Sequence, residues 1–181
     1  MIIGLSGKAG SGKDTVANIL VEEFGYKRVA FGDKIKECLL ALDPIVTWNY
    51  YESGYEDSTR LSELVAEVGW DKTKQDPEVR RLLQRMGTEV GREILGEWVW
   101  IGAAYRNFSV KNKVVITDVR FENEAGTIRV FHGEVWRIER DIPAINNHAS
   151  ETELDGWEFD RVIQNDGTLE ELAIRVREAM K

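Results

Sequence analysis

Short apolar runs alternate with amphipathic stretches along this chain. The runs at 1–6, 26–31, 113–118, 134–138 and 161–164 are bounded by glycine or polar residues, as buried strands are. Between several of them, apolar residues recur three and four positions apart, which is the period of a helix. Strands that alternate with helices predict an α/β fold whose sheet is mostly parallel.

The helical periodicity predicts six helices, and several have recognisable ends. They run from Val16 to Phe24, from Asp33 to Leu42, and over 60–68, 77–95, 97–108 and 169–180. Gly25 suits the end of the first helix, and Asp33 suits the cap of the second. Pro77 suits a first helical turn. Thr168 predicts a cap for the last helix, with Glu171 at the capping-box position.

The length and composition indicate a single globular domain. The chain has 181 residues, of which 31% are charged and 43% hydrophobic. Residues 43–59 contain Pro44, Gly54 and many polar groups, and they predict an irregular insertion rather than a domain boundary. No run approaches the ~18 apolar residues of a membrane span, and the chain opens on a strand-like segment without a signal sequence. We therefore expect a cytoplasmic protein with no membrane partner.

The charges exclude some classes of partner and point to one local site. A net charge of −8 disfavours binding to a nucleic-acid polymer, because such a polyanion binds to a basic protein surface. The single cysteine, Cys38, excludes an intramolecular disulfide framework and a cysteine-based zinc site. His132 and His148 are far apart, which argues against a histidine-rich metal site. Residues 72–92 nevertheless carry six bases against three acids, which indicates either an anion site or a solvated helix face.

The strongest chemical signal is the segment that we call the phosphate loop, Gly7-Lys8-Ala9-Gly10-Ser11-Gly12-Lys13-Asp14-Thr15. It fits G-x-x-x-x-G-K between a predicted strand and a predicted helix. In this motif, backbone N–H groups and the helix N-terminus surround phosphate oxygens, and Lys13 reaches the β- and γ-phosphates. Asp14 stands where a serine or threonine ordinarily ligates magnesium, so its carboxylate could hold the metal directly or through water. Thr15 could contact a phosphate or assist the metal.

The helix predicted over 77–95 carries a second candidate site. Its apolar positions form one stripe: Val79, Leu82, Leu83, Met86, Val90 and Ile94. Away from the stripe, Arg80, Gln84, Thr88 and Arg92 stand four apart and form a single row, which we call the acceptor row. Gly87 and Gly91 lie beside it, and each costs roughly 1 kcal/mol relative to alanine inside a helix. The spacing is equally consistent with two alternatives. One is a pocket for a phosphate and a base, and the other is a solvated face whose glycines serve helix packing.

The strand over 113–118 ends in Asp118, and Arg120 follows it. An apolar strand that ends in aspartate is the pattern whose carboxylate orients magnesium. Ligands of open α/β sheets lie at the carboxyl ends of the strands, so Asp118 and the phosphate loop should converge there. Arg120 could face a phosphate in the same cleft.

Two arginines near the end of the fourth strand could close over transferring phosphates. Arg140 is favoured because it stands at the strand's end, in front of a loop that contains His148 and Glu151. Arg137 has the alternative role of a strand residue paired with a neighbour.

In combination these pieces resemble the phage-type deoxynucleoside monophosphate kinases, within the P-loop nucleoside monophosphate kinases. The matching pieces run in order over nearly the whole chain, at Gly7–Thr15 with its Gly-Lys-Asp-Thr, 31–36, 80–89, 116–124, 148–151 and 163–169. The pieces at 80–92 and 116–124 are the most specific. The piece at 163–169 is shared with dephospho-coenzyme A kinases, and the region 43–76 matches nothing in the family pattern.

The resemblance implies a single P-loop kinase domain, with a five-stranded sheet and helices on both faces. The core would take about 1–42, 109–139 and 158–181, with a helical substrate-binding insertion at about 43–108 and a lid at about 140–157. ATP and Mg²⁺ would be bound, and the γ-phosphoryl group would pass to a deoxynucleoside 5′-monophosphate (dNMP). The partners would be small molecules, and the location the cytoplasm, a host's cytoplasm for a phage protein. The oligomeric state stays open between monomer and homodimer.

The resemblance also implies roles by position. Gly7–Thr15 would hold the donor phosphates, with Asp14 and Asp118 near magnesium and Arg137 or Arg140 as the lid arginine. The residues near the adenine would be Asn165, Asp166, Gly167 and Thr168. The residues that line the acceptor site would be Asp33, Lys34, Arg80, Gln84, Thr88 and Arg120. No general base is needed, because the attacking phosphate oxygen is already anionic.

Two alternatives remain open at this point. A dephospho-coenzyme A kinase, or another small-molecule P-loop kinase, would share the phosphate loop and the Asn165–Thr168 piece but would not explain Arg80, Gln84 and Thr88. A nucleotide-binding switch without transferase activity is the second alternative, because Asp14 departs from the usual loop.

Overall fold

The computed structural model describes residues 1–50, 56–106, 108–109, 111–141 and 153–181. Two compact units are present, the first made of Met1–Phe31 and Ala103–Lys181 and the second of Gly32–Gly102. His148 and Glu151 lie outside the described residues, as does most of the predicted lid. Within the described residues, no helix combines the length and the apolar character needed to cross a bilayer.

Strands and helices alternate over most of the described chain. The strands are β1 (Ile2–Ser6), β2 (Lys27–Val29), β3 (Ile45–Tyr50), β4 (Glu56–Arg60), β5 (Val114–Ile116), β6 (Glu134–Glu139) and β7 (Arg161–Gln164). The α-helices are α1 (Lys13–Phe24), α2 (Gly32–Leu42), α3 (Leu61–Thr73), α4 (Pro77–Arg85), α5 (Val99–Tyr105), α6 (Glu122–Val130) and α7 (Leu169–Ala179). A π-helical segment, Met86–Leu95, continues α4.

The first unit is built on a five-stranded parallel sheet in the order β2-β5-β1-β6-β7. This confirms the predicted α/β fold and all five predicted strands. The central strands β1 and β5 are fully buried, which is why their sequences are continuous apolar runs. Ile2 of β1 pairs with Val114 of β5, so strands far apart in sequence are neighbours in the sheet.

The helices of the first unit end where the sequence signals stand. Gly25 adopts φ 70° after α1, and its N–H donates to the carbonyl oxygens of Leu20 and Val21, so the predicted end is confirmed. Thr168 and Glu171 form the predicted capping box at α7. Buried side chains of α1, α7 and the sheet make the core, among them Leu5, Val16, Leu20, Trp136, Leu172 and Val176.

Helix α6 was not predicted from the sequence. It contains Gly126 and Thr127, and both residue types lower the intrinsic preference for a helix. Its buried residues Ala125 and Ile128 indicate that packing, rather than propensity, stabilises it.

In the second unit, the prediction of an irregular insertion at 43–59 is wrong, because β3 and β4 pair there as an antiparallel two-stranded sheet. The sequence of β3 is Ile-Val-Thr-Trp-Asn-Tyr, which is rich in β-branched and aromatic residues. Pro44 precedes β3 instead of interrupting it. The region predicted as a helical insertion therefore contains strands as well as helices.

Three further helices differ in detail from the prediction. Helix α2 begins at Gly32, so Asp33 lies in the first turn and is not the predicted cap. Helix α3 extends beyond 68 to Thr73, across a kink at Gly69 with φ 75°. Helix α5 covers only Val99–Tyr105 of the predicted 97–108.

The helix predicted over 77–95 starts as expected and then changes its pitch. The Asp76 carboxylate caps α4 by accepting from the N–H groups of Glu78 and Val79, and Pro77 occupies the first turn. From Met86 onward the segment is π-helical, with i→i+5 hydrogen bonds. Val79 is fully buried but Ile94 is 74% exposed, so the predicted apolar stripe is wrong at Ile94. The changed pitch moves positions after Met86 off the line that an α-helix would give.

Candidate functional site

The phosphate loop joins the central strand β1 to α1 in a tight turn. Ser11 N–H donates to the Lys8 carbonyl at 3.1 Å, and Val16 N–H donates to the Gly12 carbonyl at 3.0 Å. Gly12 adopts φ 100°, and a Cβ at this position would overlap Asn165 Nδ2. Glycine is therefore required at position 12 for conformation and for space. The first N–H groups of α1, a helix of 12 residues, open onto this loop as an anion site does.

Lys13 folds back over the loop that precedes it. Its Nζ donates to the carbonyl oxygens of Gly7 at 2.6 Å and Lys8 at 2.8 Å. The ammonium group is thus held against the loop by its own backbone. A positive charge therefore lies beside the N-terminus of α1, and the charge and the helix terminus would both attract a phosphate.

A cavity of about 270 Å³ adjoins the loop in the first unit. Its lining includes Lys8, Ser11, Arg137, Arg140 and Gln164. Ser11 is 1% exposed, and its hydroxyl oxygen has no hydrogen-bond partner within the described residues. Buried hydroxyl groups ordinarily have a partner, so this oxygen fits a site that a ligand completes.

Asn165 is the predicted adenine-side residue that the structure brings against the phosphate loop. Its side-chain Nδ2 donates to the Ser11 carbonyl at 2.7 Å, and the residue is 8% exposed. Asp166, Gly167 and Thr168 are exposed. The Arg175 guanidinium lies 2.8 Å from the Asp166 carboxylate and holds the pKa of Asp166 below its ordinary value. Asn165 therefore shapes the loop, while the three residues after it lie at the surface.

We predict that Asn165→Ala loosens the phosphate loop, because it leaves the buried Ser11 carbonyl without its donor. The expected loss of unfolding free energy is about 1–3 kcal/mol, and ATP affinity should fall with it. Urea unfolding and ATP titration calorimetry measure the two effects. Asn18→Ala, at an exposed asparagine of α1, is the matched control. Equal stability and ATP affinity in the two variants would contradict the role of Asn165.

Each of the two predicted metal carboxylates accepts a hydrogen bond within the first unit. Asp14 Oδ1 accepts from Arg28 Nη2 of β2 at 2.6 Å, and Asp14 is largely exposed. Asp118 Oδ1 accepts from the Phe31 N–H at 2.8 Å, just after β5. Within the part of the chain that the structure describes, no group of three or more His, Cys, Asp or Glu side chains is placed to hold a metal ion. Arg28 was not predicted from the sequence, because nothing in a three-residue strand marks an arginine as the partner of a loop carboxylate.

The two candidate lid arginines have different surroundings. The side chain of Arg137 is 12% exposed, and its guanidinium donates to the Asp155 carboxylate at 3.0 Å and packs on the Phe159 ring. This is the arrangement of a strand residue paired with a neighbour. Arg140 follows β6, is exposed, and lines the cavity beside the loop. Arg140 is therefore the more available of the two cations.

Arg120 lies in the turn between β5 and α6. A buried carboxylate, Glu124, fixes this turn by accepting from the N–H groups of Arg120 at 2.8 Å and Phe121 at 3.2 Å. Glu124 was not predicted as a functional residue, because Phe121 at the N-cap has no side-chain acceptor and the sequence therefore lacks the capping-box signal.

In the second unit, ion pairs distinguish the arginines of α4. Arg81 donates twice to the Glu78 carboxylate, at 2.7 and 2.6 Å, and Arg85 donates to Glu89 at 3.0 Å. Arg80 is exposed and makes no hydrogen bond or ion pair with another described side chain. Of these three guanidinium groups, that of Arg80 is the one left without a carboxylate in the described structure.

The remaining predicted acceptor residues of this unit lie on α2, on α4 and on the π-helical segment that continues α4. Asp33 pairs with Lys36 at 3.2 Å, and Lys34 pairs with Glu37 at 2.5 Å, each within the first turns of α2. Gln84 is exposed, and Thr88 and Arg92 are half-buried.

The two glycines beside the acceptor row make room for protein side chains. A Cβ on Gly91 would lie 2.5 Å from Trp100 Cε2, and one on Gly87 would lie 3.1 Å from Ile35 Cδ1. Helix packing therefore accounts for the two glycines themselves. Trp100 was not predicted from the sequence, since no spacing rule connects a tryptophan of α5 to glycines nine and thirteen residues earlier.

The comparisons at the level of sequence share one family description. The sequence profile of the family described as deoxynucleotide monophosphate kinase matches residues 46–176. A protein of Acanthamoeba polyphaga mimivirus, provisionally named a deoxynucleotide monophosphate kinase, is 29% identical over 94% of this chain and 91% of its own length. The deoxynucleoside-5′-monophosphate kinase of Escherichia phage T5 is 25% identical over 81% of this chain and 77% of its own. Among solved structures, the shikimate kinase of Aquifex aeolicus is matched over 99% of this chain and 96% of its own length, at 14% identity and with a TM-score of 0.48.

Proposed function

Since the chain belongs to the deoxynucleotide monophosphate kinase family, we propose that it transfers the γ-phosphoryl group of ATP to a dNMP, giving a dNDP and ADP. The structural observation that carries the proposal is the phosphate loop, which Gly12 and Asn165 hold in an anion-binding shape. This loop lies outside residues 46–176, so the family match and the loop are separate grounds for one reaction.

The donor is assigned to the first unit. Backbone N–H groups of Gly7–Thr15 would bind the phosphates, and Lys13 would neutralise the β- and γ-phosphates. Asn165 to Thr168 would lie on the adenine side. Catalysis of phosphoryl transfer depends on positioning the two substrates and neutralising phosphate charge, more than on covalent chemistry by the protein. A loop held by the buried Asn165–Ser11 hydrogen bond supplies the positioning without rearrangement during the reaction.

The residues present fit a magnesium ion that arrives with ATP. Mg²⁺ prefers oxygen ligands and is commonly bound by one or two carboxylates together with substrate phosphates, so a cluster of three protein ligands is not required. Asp118 and Asp14 are the carboxylates that would hold it, and the Thr15 hydroxyl would contact a phosphate or assist the metal. The ion would neutralise charge on the transferring phosphoryl group. Arg28 already pairs with Asp14 and would limit the negative charge that this unusual loop residue presents to the phosphates.

The acceptor is assigned mainly to residues of the second unit. Arg80 would bind the phosphate of the dNMP, since a guanidinium offers a planar pair of donors and its neighbours are already paired with carboxylates. Gln84 would donate to and accept from a base edge, with Thr88 and Arg92 in the same row. The other residues assigned to the acceptor are Asp33 and Lys34 of α2 and, in the first unit, Arg120. Arg140 would act as the lid arginine, and Arg137 as its alternative. The division into a core, an insertion at about 43–108 and a lid at about 140–157 stays a prediction.

The test is an ADP-release assay with the purified protein, ATP and Mg²⁺ across all dNMPs, the ribonucleoside monophosphates and dephospho-coenzyme A. We expect ADP to form in step with a dNDP only when a dNMP is supplied, with omission of Mg²⁺ as the control. Phosphorylation of dephospho-coenzyme A alone would replace the proposal with the sister enzyme. ATP binding without turnover of any acceptor would indicate the nucleotide-binding switch.

A further inference from the structure

The change of helical pitch at Met86 affects the acceptor row directly. In an α-helix each residue turns by about 100°, so residues four apart drift by about 40° per step. Over three steps, Arg80, Gln84, Thr88 and Arg92 would then spread through roughly 120° of the helix surface. A continuous α-helix would therefore present these four side chains along a spiral rather than to one ligand.

The π-helical segment reverses this drift. Each π-helical residue turns by roughly 80°, so four residues fall about 40° short of a full turn. Arg80 and Gln84 lie on α4, while Thr88 and Arg92 lie on the π-helical segment. The second half of the row thus turns back, and all four positions fall within about 40° of one line. The row becomes straight because the pitch changes in its middle.

Trp100 is placed to maintain this pitch. Its indole Nε1–H donates to the Gly87 carbonyl at 2.8 Å, and the residue is only 6% exposed. The same ring occupies the space over Gly91, where a Cβ would overlap it. Trp100 therefore contacts the π-helical segment at two points, immediately before Thr88 and immediately before Arg92. A π-helix of ten residues is long, because π-helices are rare and mostly a single turn, so contacts from outside the segment matter for holding it.

We propose that Trp100 is a positioning residue for acceptor binding: its contacts with Gly87 and Gly91 hold the π-helical pitch that aligns Thr88 and Arg92 with Arg80 and Gln84. The inference rests on the proposed function, since that function assigns the row to the dNMP. It adds a determinant of acceptor affinity that does not touch the substrate.

The test compares Trp100→Phe, which keeps an aromatic ring but removes the donor, with Trp98→Phe, which makes the same change at a 61% exposed residue two positions away. We expect Trp100→Phe to raise the KM for dNMP about fivefold or more, with the KM for ATP unchanged, and Trp98→Phe to change neither. Gly91→Ala should act in the same direction as Trp100→Phe. KM does not depend on the fraction of folded enzyme, so partial misfolding does not hide the effect. A lower urea midpoint with both KM values unchanged would reduce Trp100 to a purely structural role and overturn the proposal.

A readout independent of activity separates this inference from the proposed function. Through-hydrogen-bond NMR couplings across 86–95 report whether each N–H is bonded to the carbonyl five or four residues earlier. We expect the i→i+5 pattern in the wild type and in Trp98→Phe, and its loss in Trp100→Phe. Persistence of that pattern in Trp100→Phe would overturn the proposal. If the wild type phosphorylated no dNMP, the proposed function would fail, while the couplings would still decide whether Trp100 holds the pitch.

Discussion

Lys13→Ala should lower the rate of phosphoryl transfer by roughly 10³-fold, because it removes the cation assigned to the β- and γ-phosphates. The ammonium group also donates to the carbonyl oxygens of Gly7 and Lys8, so the variant loses two hydrogen bonds of the loop itself. These bonds are local and partly exposed, and the sheet and its core do not depend on them. Single-turnover kinetics with saturating ATP and dNMP measures the chemical step, and circular dichroism checks the fold.

Two further variants separate charge from packing at this position. Lys13→Met keeps most of the aliphatic chain without the charge, and it should lose about as much activity as Lys13→Ala. Lys111→Ala removes an exposed lysine of the same unit and should behave as wild type. Wild-type turnover in Lys13→Ala would show that the phosphate loop is not the donor site.

Arg80→Ala is expected to raise the KM for dNMP by roughly 10- to 100-fold while leaving the KM for ATP nearly unchanged. A hydrogen bond to a charged group contributes about 1.5–3 kcal/mol, and each 1.4 kcal/mol corresponds to a factor of ten. Arg80 is exposed and has no carboxylate partner among the described residues, so its removal should disturb the free protein little. Initial-rate kinetics with each substrate varied in turn gives the two KM values.

The neighbouring arginine supplies the control. Arg81→Ala removes the same charge from the same helix, but Arg81 is held by Glu78 at 2.7 and 2.6 Å. We expect a KM for dNMP within about twofold of wild type, because an arginine already neutralised by a carboxylate has little to offer a phosphate. An effect confined to Arg81→Ala or Arg85→Ala would move the acceptor phosphate to that residue.

Local patterns in the sequence predicted the local parts of the structure. The apolar runs of β1 and β5 are buried on both faces, so their composition alone identifies them. The phosphate loop, Gly25 and the Thr168 cap depend on residues within a few positions of one another, and each was predicted. The β3–β4 pair was missed because Pro44 and Gly54 outweighed the β-branched residues of β3 in the prediction. The breaker Pro44 in fact stands just before the strand.

Contacts between distant residues could not be predicted in this way. The pairs Asn165–Ser11, Arg28–Asp14 and Trp100–Gly87 join residues that no spacing rule relates. The π-helical segment is a further example, because its hydrogen-bond pattern depends on neighbours as much as on its own sequence. Those contacts decide which of the predicted side chains are available and which are already occupied. Arg80 and Arg81 are adjacent arginines that the sequence does not distinguish, and the difference between them is the ion pair of Arg81 with Glu78.

The bond between Asn165 and Ser11 has a consequence for how the protein folds. It joins residues 154 positions apart, and the central strand β1 pairs with β5 and β6 from the second half of the chain. The loop that comes first in the sequence is thus completed by residues near the other end. Contacts of such high sequence separation slow folding, because a long loop must close before they form. We expect nucleotide affinity to emerge late in refolding, together with the final cooperative step, which stopped-flow refolding in the presence of a fluorescent ATP analogue would measure.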